Sequence, residues 1–190
     1  MSYEVKVGLS NKHMHLKAED IEKLFGKGHE LTVFKDLVQP GQFACEEKVD
    51  VVGPKGTLKG IRVLGPARPE TQVELAVTDA RAIGIKPVVR ESGKLDGTPG
   101  CKLVGPAGEA EIDYGVIVAL RHVHLSPKQA EEAGLKDKDI VSLKISGERE
   151  TIFNNVLVRS SEGHEKEVHL DTDEGNAAGC GADTEAEIIR

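Results

Sequence analysis

Tryptophan is absent from this 190-residue chain, and phenylalanine and tyrosine bring the aromatic content to only 3%. The formal charge is −7, so the positive excess and stacking rings of a nucleic-acid surface are both missing, and that class of partner is excluded. Cysteine is scarce too. Cys45, Cys101 and Cys180 are odd in number and show no CxxC spacing, so neither a disulfide framework nor a structural zinc knot is expected, and a reducing cytoplasm fits best. No apolar run approaches the ~20 residues of a membrane span. The opening MSYEVKVGLS alternates apolar and polar residues without a signal-peptide h-region, and reads as a strand. GxSxG, P-loop and strand-linked GxGxxG motifs are also missing, so covalent catalysis by serine and nucleotide-cradling loops have no candidate.

What is present is turn punctuation. The chain carries 21 Gly and 8 Pro, with GPKG at 53–56, GPAR at 65–68, GTPG at 97–100 and GPAG at 105–108. Between them lie short alternating or β-branched runs such as EVKVGL, EKVDVV, GIRVL, TQVELAV, GVIVAL, DIVSLKI and NNVLVR. This pattern predicts a mainly β fold of sandwich or barrel type. Helices are few and short. The clearest is SPKQAEEAG, with Ser126 as N-cap, Pro127 at the first helical position, Gln129 closing a capping box and Gly134 as the stop.

Histidine is placed unevenly. Of seven in the chain, four sit in two matching strings, KHMHL at 12–16 and RHVHL at 121–125. Aligning His13 with His122 (offset 109) brings Lys12 onto Arg121, His15 onto His124 and Leu16 onto Leu125, with a helix predicted after each. A second echo, TQVELAVTDARAIG (71–84) and KEVHLDTDEGNAAG (166–179), aligns without gaps at offset 95 and sets Glu74 opposite His169. The chain therefore reads as an internal duplication of two β-rich halves, residues 1–88 and 89–190, with the boundary in the Gly/Pro-rich stretch near 86–100.

In a strand, residues i and i+2 face the same side, so His13 and His15 project together, as do His122 and His124. Two imidazoles so placed can converge on one ion, and a catalytic zinc takes three protein ligands with one position open. The duplication supplies them twice: His13, His15 and Glu74 in one half, His122, His124 and His169 in the other. Two metals facing each other where the halves meet are predicted. A single HxH is more often a surface feature or a hydrogen-bonded pair. Five of seven histidines at matched repeat positions outweigh that reading, whereas His29 and His164 lie in polar turn-like contexts and are read as structural. Arg68, six residues before Glu74, is placed to clamp a phosphate or a developing oxyanion. Lys35 and Arg62 read by default as solvated charge, with phosphate contact the alternative.

SNKHMHL, DLVQPGQFACEEKVDVVGPKG, RVLGPARPETQVELAVTDARAIG, VRESGKLDGTPG, RHVHLSP and VHLDTDEGNAAG together closely resemble the PduL-type phosphate propanoyltransferase (phosphotransacylase) family, from about Val5 to Gly179. The resemblance implies two small β-barrel domains with short helices and a dimetal, dizinc site. It implies the reaction acyl-CoA + phosphate ⇌ acyl phosphate + CoA, with acetyl-CoA or propanoyl-CoA as substrate. Carried across, it assigns one zinc to His13, His15 and Glu74, the other to His122, His124 and His169, and the essential arginine to Arg68. Ser10, Lys35, Arg62, Leu64 and Asn176 fall on positions lining the coenzyme A pocket. A homodimer is implied by the resemblance alone. Family members packaged in bacterial microcompartments carry an amphipathic N-terminal extension. Only Met1 and Ser2 precede the first predicted strand, so a cytoplasmic enzyme without that extension is expected.

Two rivals remain at the level of sequence. A zinc-dependent hydrolase of amidohydrolase or thioesterase type also uses an HxH, but the amidohydrolase form needs a TIM barrel of about 250 residues. A non-catalytic metal-stabilised binding module would need closed, four-coordinate zinc whose removal unfolds the chain. Histidine and carboxylate donors suit zinc and leave cobalt, nickel or iron open.

Overall fold

The computed structural model describes residues 3–189. The chain begins β1 (Tyr3–Ser10), β2 (His13–His15), α1 (Ala18–Phe25), β3 (Val33–Asp36), β4 (Phe43–Gly53), β5 (Gly56–Gly65), β6 (Gln72–Glu74), α2 (Val77–Ala82), β7 (Val89–Arg90), β8 (Cys101–Val104), β9 (Glu109–Ile112) and β10 (Val116–Ala119). It continues β11 (His122–Leu125), α3 (Pro127–Ala133), β12 (Ile140–Ile145), β13 (Thr151–Ser160), β14 (Glu167–Asp171), α4 (Thr172–Ala178) and β15 (Glu185–Ile189). The fold is mainly β with short helices, as the turn spacing predicts, and it packs as two compact β-rich units.

One unit spans Lys12–Ala119. Its strands form an open, curled sheet in the order β7-β10-β6-β2-β5-β4-β8-β9, with β3 paired to β4. Met14, Val49, Val51, Ile61, Val63, Val73 and Leu103 fill its core. The other unit joins the chain up to Asn11 with Leu120 onward. Its strands close into a six-stranded barrel, β1-β14-β11-β13-β12-β15, around Val5, Val7, Val123, Leu125, Val156, Val158 and Val168.

The two units share one plan. In order, β10-β6-β2-β5-β4 of the open sheet corresponds to β1-β14-β11-β13-β12 of the barrel. Registers agree residue by residue: β10 pairs β6 in parallel through Val116↔Val73, and β1 pairs β14 in parallel through Val7↔Val168. The units close differently. β15 pairs with both β1 and β12, sealing the barrel, whereas the two-residue β7 pairs only with β10 and the β8–β9 hairpin takes the edge of β4.

This plan corrects the division expected at residues 88/89. The leading strands of the two repeats are exchanged: β1 pairs with the body of the second repeat, and β10 with the body of the first. Sequence halves and packed units therefore differ by one strand each. Each packed unit nevertheless keeps one of the two candidate ligand sets whole.

Local rules hold where they were strongest. α3 starts on the Ser126/Gln129 capping box with Pro127 at its first position and stops at a left-handed Gly134. α4 repeats the device with Asp171 and Glu174, and stops at Gly179. The three cysteines are free, as their spacing predicts. Among the described residues no helix is long and apolar enough to cross a membrane.

Candidate active site

β2 and β11 are short and buried on both faces. Met14 and Val123 turn into the two cores, which leaves the flanking histidines together on the opposite face. Each HxH strand is paired antiparallel to the strand that carries the third candidate ligand: His13 faces Glu74 and His15 faces Gln72, while His122 faces His169 and His124 faces Glu167. The histidine rings are crossed at 89° for His13–His15 and at 83° for His122–His124, with centroids 5.3 and 4.8 Å apart.

Both predicted ligand sets assemble. His13, His15 and Glu74 present ligand atoms within 4.8 Å of one another, and so do His122, His124 and His169. In the second set the Nε2 atoms of His122 and His124 lie 3.1 Å apart. Two nitrogens on a tetrahedral zinc would be separated by about 3.3 Å, given Zn–N bonds of about 2.0–2.1 Å. His122 Nδ1 donates to the Leu120 carbonyl at 2.8 Å, which leaves the Nε2 lone pair facing inward. In the first set, His13 Nε2 stands 3.5 Å from Glu74 Oε2.

Burial prepares these rings as neutral donors. His15 is pushed down to about 3 by burial, then by the Arg68 charge and by His13. The Glu74 charge and, more weakly, the Leu64 carbonyl pull the other way, and His15 Nδ1 is buried with no hydrogen-bond partner. His124 is pushed down to about 2, again by burial first, then by His122 and His169. An imidazole kept neutral, with a buried nitrogen lacking a partner, is a donor set that fits a divalent transition-metal ion.

Arg68 lies in the loop between β5 and β6. Its backbone N–H donates to the Leu16 carbonyl at 2.9 Å, which ties the loop to the end of β2 and sets the guanidinium close enough to depress His15. Lys35, Arg62 and Leu64 gather on neighbouring strands of the open sheet. Lys35 is paired with Ala44, Ala44 with Leu64, and Arg62 with His13. Arg62 stacks over Phe34 at 4.5 Å and donates to the Cys45 carbonyl, so it is a fixed cation rather than a solvated one. Ser10 and Asn176 belong to the other unit, Ser10 in register with Asp171, the N-cap of the helix that carries Asn176.

The chain matches the family model for phosphate propanoyltransferase over residues 6–181. The chain belongs to the phosphate propanoyltransferase family. It is 55% identical to a phosphate propanoyltransferase of Thermotoga maritima over 173 residues, covering 90% of this chain and 82% of the relative. It is 51% identical to that of Salmonella typhimurium over 177 residues (93% and 84%), and 46% identical to that of Clostridioides difficile over 186 (98% and 89%). The chain is thus an acyltransferase, acting on phosphate.

In this family member several residues around the candidate ligands carry no signal of their own in the sequence. Lys12 pairs with Asp79 at 3.1 Å and Arg121 with Glu174 at 2.7 Å, so the basic residue ahead of each HxH grips the helix that follows the third candidate ligand. Gln72 and Ser92 hydrogen-bond to Glu74, and Glu167 to His169, the third candidate ligand of each set. His164, read from its turn-like context as structural, lies with its Nδ1 3.4 Å from that of His124 and 3.1 Å from the Arg159 carbonyl. Only the repeat alignment could have pointed to Lys12 and Arg121, and only the strand register to Gln72 and Glu167, while Ser92 and His164 are brought in by loops.

Proposed function

We propose that the chain transfers a short acyl group, propanoyl or acetyl, reversibly between coenzyme A and inorganic phosphate, with a zinc ion held by His13, His15 and Glu74 and a second by His122, His124 and His169. The observation that carries this reading is the doubling: two three-ligand groups built on equivalent strand pairs, one of them beside Arg68. When bound, such ions supply Lewis-acid stabilisation of a thiolate, a phosphate or an oxyanion.

The remaining chemistry belongs to the chain. A phosphate oxygen attacks the thioester carbonyl, the C–S bond breaks, and coenzyme A leaves as the thiolate. Arg68 holds the phosphate and offsets the charge that builds on the tetrahedral intermediate. Arg62, fixed by Phe34 and the Cys45 carbonyl, and Lys35 supply cations for the phosphate groups of coenzyme A, with Leu64 as an apolar contact. Holding both substrates in one orientation replaces a bimolecular encounter. One methylene is worth only about 1–3 kcal/mol in a pocket, so acetyl and propanoyl substrates are both expected to react.

The test is thiol release from acetyl-CoA and propanoyl-CoA with and without inorganic phosphate. Release that requires phosphate and yields acyl phosphate supports transfer. Release independent of phosphate makes the chain a thioesterase and ends this reading.

A further inference from the structure

The duplication extends one step beyond the ligands. At offset 95, Gln72-Val73-Glu74 matches Glu167-Val168-His169, so Gln72 and Glu167 hold the same place two residues before the third ligand. Each points to the same face as that ligand, and each is paired across the strands with the second histidine of its HxH, His15 or His124.

The two residues have opposite hydrogen-bonding character, and so do the ligands they touch. Gln72 is 1% exposed. Its Oε1 accepts from the Gly93 backbone N–H at 2.8 Å, which fixes the amide and directs Nε2 onto Glu74 Oε1 at 2.5 Å. Ser92 Oγ donates to the same Glu74 oxygen at 3.2 Å, so Oε1 is committed and Oε2 is left facing His13. On the other strand, Glu167 is 8% exposed and its Oε2 lies 2.7 Å from His169 Nε2. A carboxylate only accepts, so Nε2 carries the proton and the lone pair of His169 falls on Nδ1.

A second observation concerns the room Glu167 occupies. Gly8, opposite His169 on β1, would with a Cβ come within 2.7 Å of Glu167 Cδ and 2.8 Å of Oε1. The neighbouring strand is kept bare where this carboxylate lies.

We propose that Gln72 and Glu167 are the positioning residues of the two half-sites. Gln72 makes Glu74 a one-oxygen ligand, and Glu167 fixes the tautomer and orientation of His169. The inversion is the core of the inference: a carboxylate ligand has a donor behind it and an imidazole ligand an acceptor, at the same repeat position. Filling space alone would not require it. The inference rests on the metal-site reading above.

The test is zinc titration of the metal-free full chain against a chromogenic chelator. Gln72→Leu and Glu167→Gln are each expected to bind two zinc at saturation, with one of the two weakened about 10–100-fold and the other unchanged. Gly8→Ala is expected to weaken the same zinc as Glu167→Gln, and to add nothing in a Glu167→Ala background, where the carboxylate it displaces is gone. Both single variants binding two zinc as tightly as the unaltered chain would overturn the positioning roles and leave the metal reading standing. A Glu167→Gln chain that saturates at one zinc would make Glu167 a ligand instead. An unaltered chain that binds no zinc would overturn both readings.

Discussion

His122 Nε2 lies 3.1 Å from His124 Nε2, with His122 Nδ1 already committed to the Leu120 carbonyl. Two imidazole nitrogens that close need either a shared proton or a shared ion, and burial holds His124 neutral with no charge of its own to contribute. His122→Ala or His124→Ala is expected to lower bound zinc from two to one per chain by elemental analysis, with loss of acyl transfer. Retention of two zinc by both variants would remove the second half-site.

Arg68 supplies charge and no ligand atom. Arg68→Ala is therefore expected to keep two zinc per chain while kcat falls about 10²–10³-fold, the usual loss on removing a single oxyanion-stabilising group. Loss of zinc in this variant would mean that Arg68 supports the site structurally.

These two assignments were legible in the sequence for different reasons. KHMHL and RHVHL stand out because histidine is rare and the string recurs, and Glu74 and His169 follow from a second alignment. Arg68 was visible only as a cation close in sequence to Glu74. Gln72 and Glu167 carried no signal because their role depends on cross-strand register with His15 and His124, which the chain alone does not display. The unit boundary was missed because exchanging β1 and β10 leaves no mark in composition. His164 was passed over because its turn context says nothing of the loop that returns it to His124.

Arg121, just ahead of β11, pairs with Glu174 of α4 at 2.7 Å, and both side chains are half-buried. Burial first, then the Asp171 charge, holds Glu174 above the usual carboxylate range, and the Asp171 backbone N–H and, less strongly, Arg121 offset this only in part. The pair therefore contributes little beyond that offset. Glu174→Gln, which keeps an acceptor for the Asp171 backbone N–H, is expected to lower stability by less than about 1 kcal/mol in urea unfolding. Glu174→Ala also opens the capping box and is expected to lose about 1–2 kcal/mol. Equal losses from the two would assign the whole effect to charge.

The neutral histidines also set a pH dependence for the metal-free chain. His15 and His124 have folded values of about 3 and about 2, below the ordinary value of 6.5. Between those limits the unfolded chain takes up protons that the folded chain refuses. Stability is then full above about pH 6.5 and falls as the pH drops below it, by up to about 1.4 kcal/mol per pH unit for each group. Urea midpoints of chelator-treated protein at pH 7.5, 6.0 and 5.0 measure this directly. A falling midpoint would show that the fold holds these two imidazoles uncharged before any ion arrives, so that binding need not displace their protons. A midpoint unchanged down to pH 5.0 would mean that the two rings protonate within the fold, and that an incoming metal must compete with protons for both half-sites.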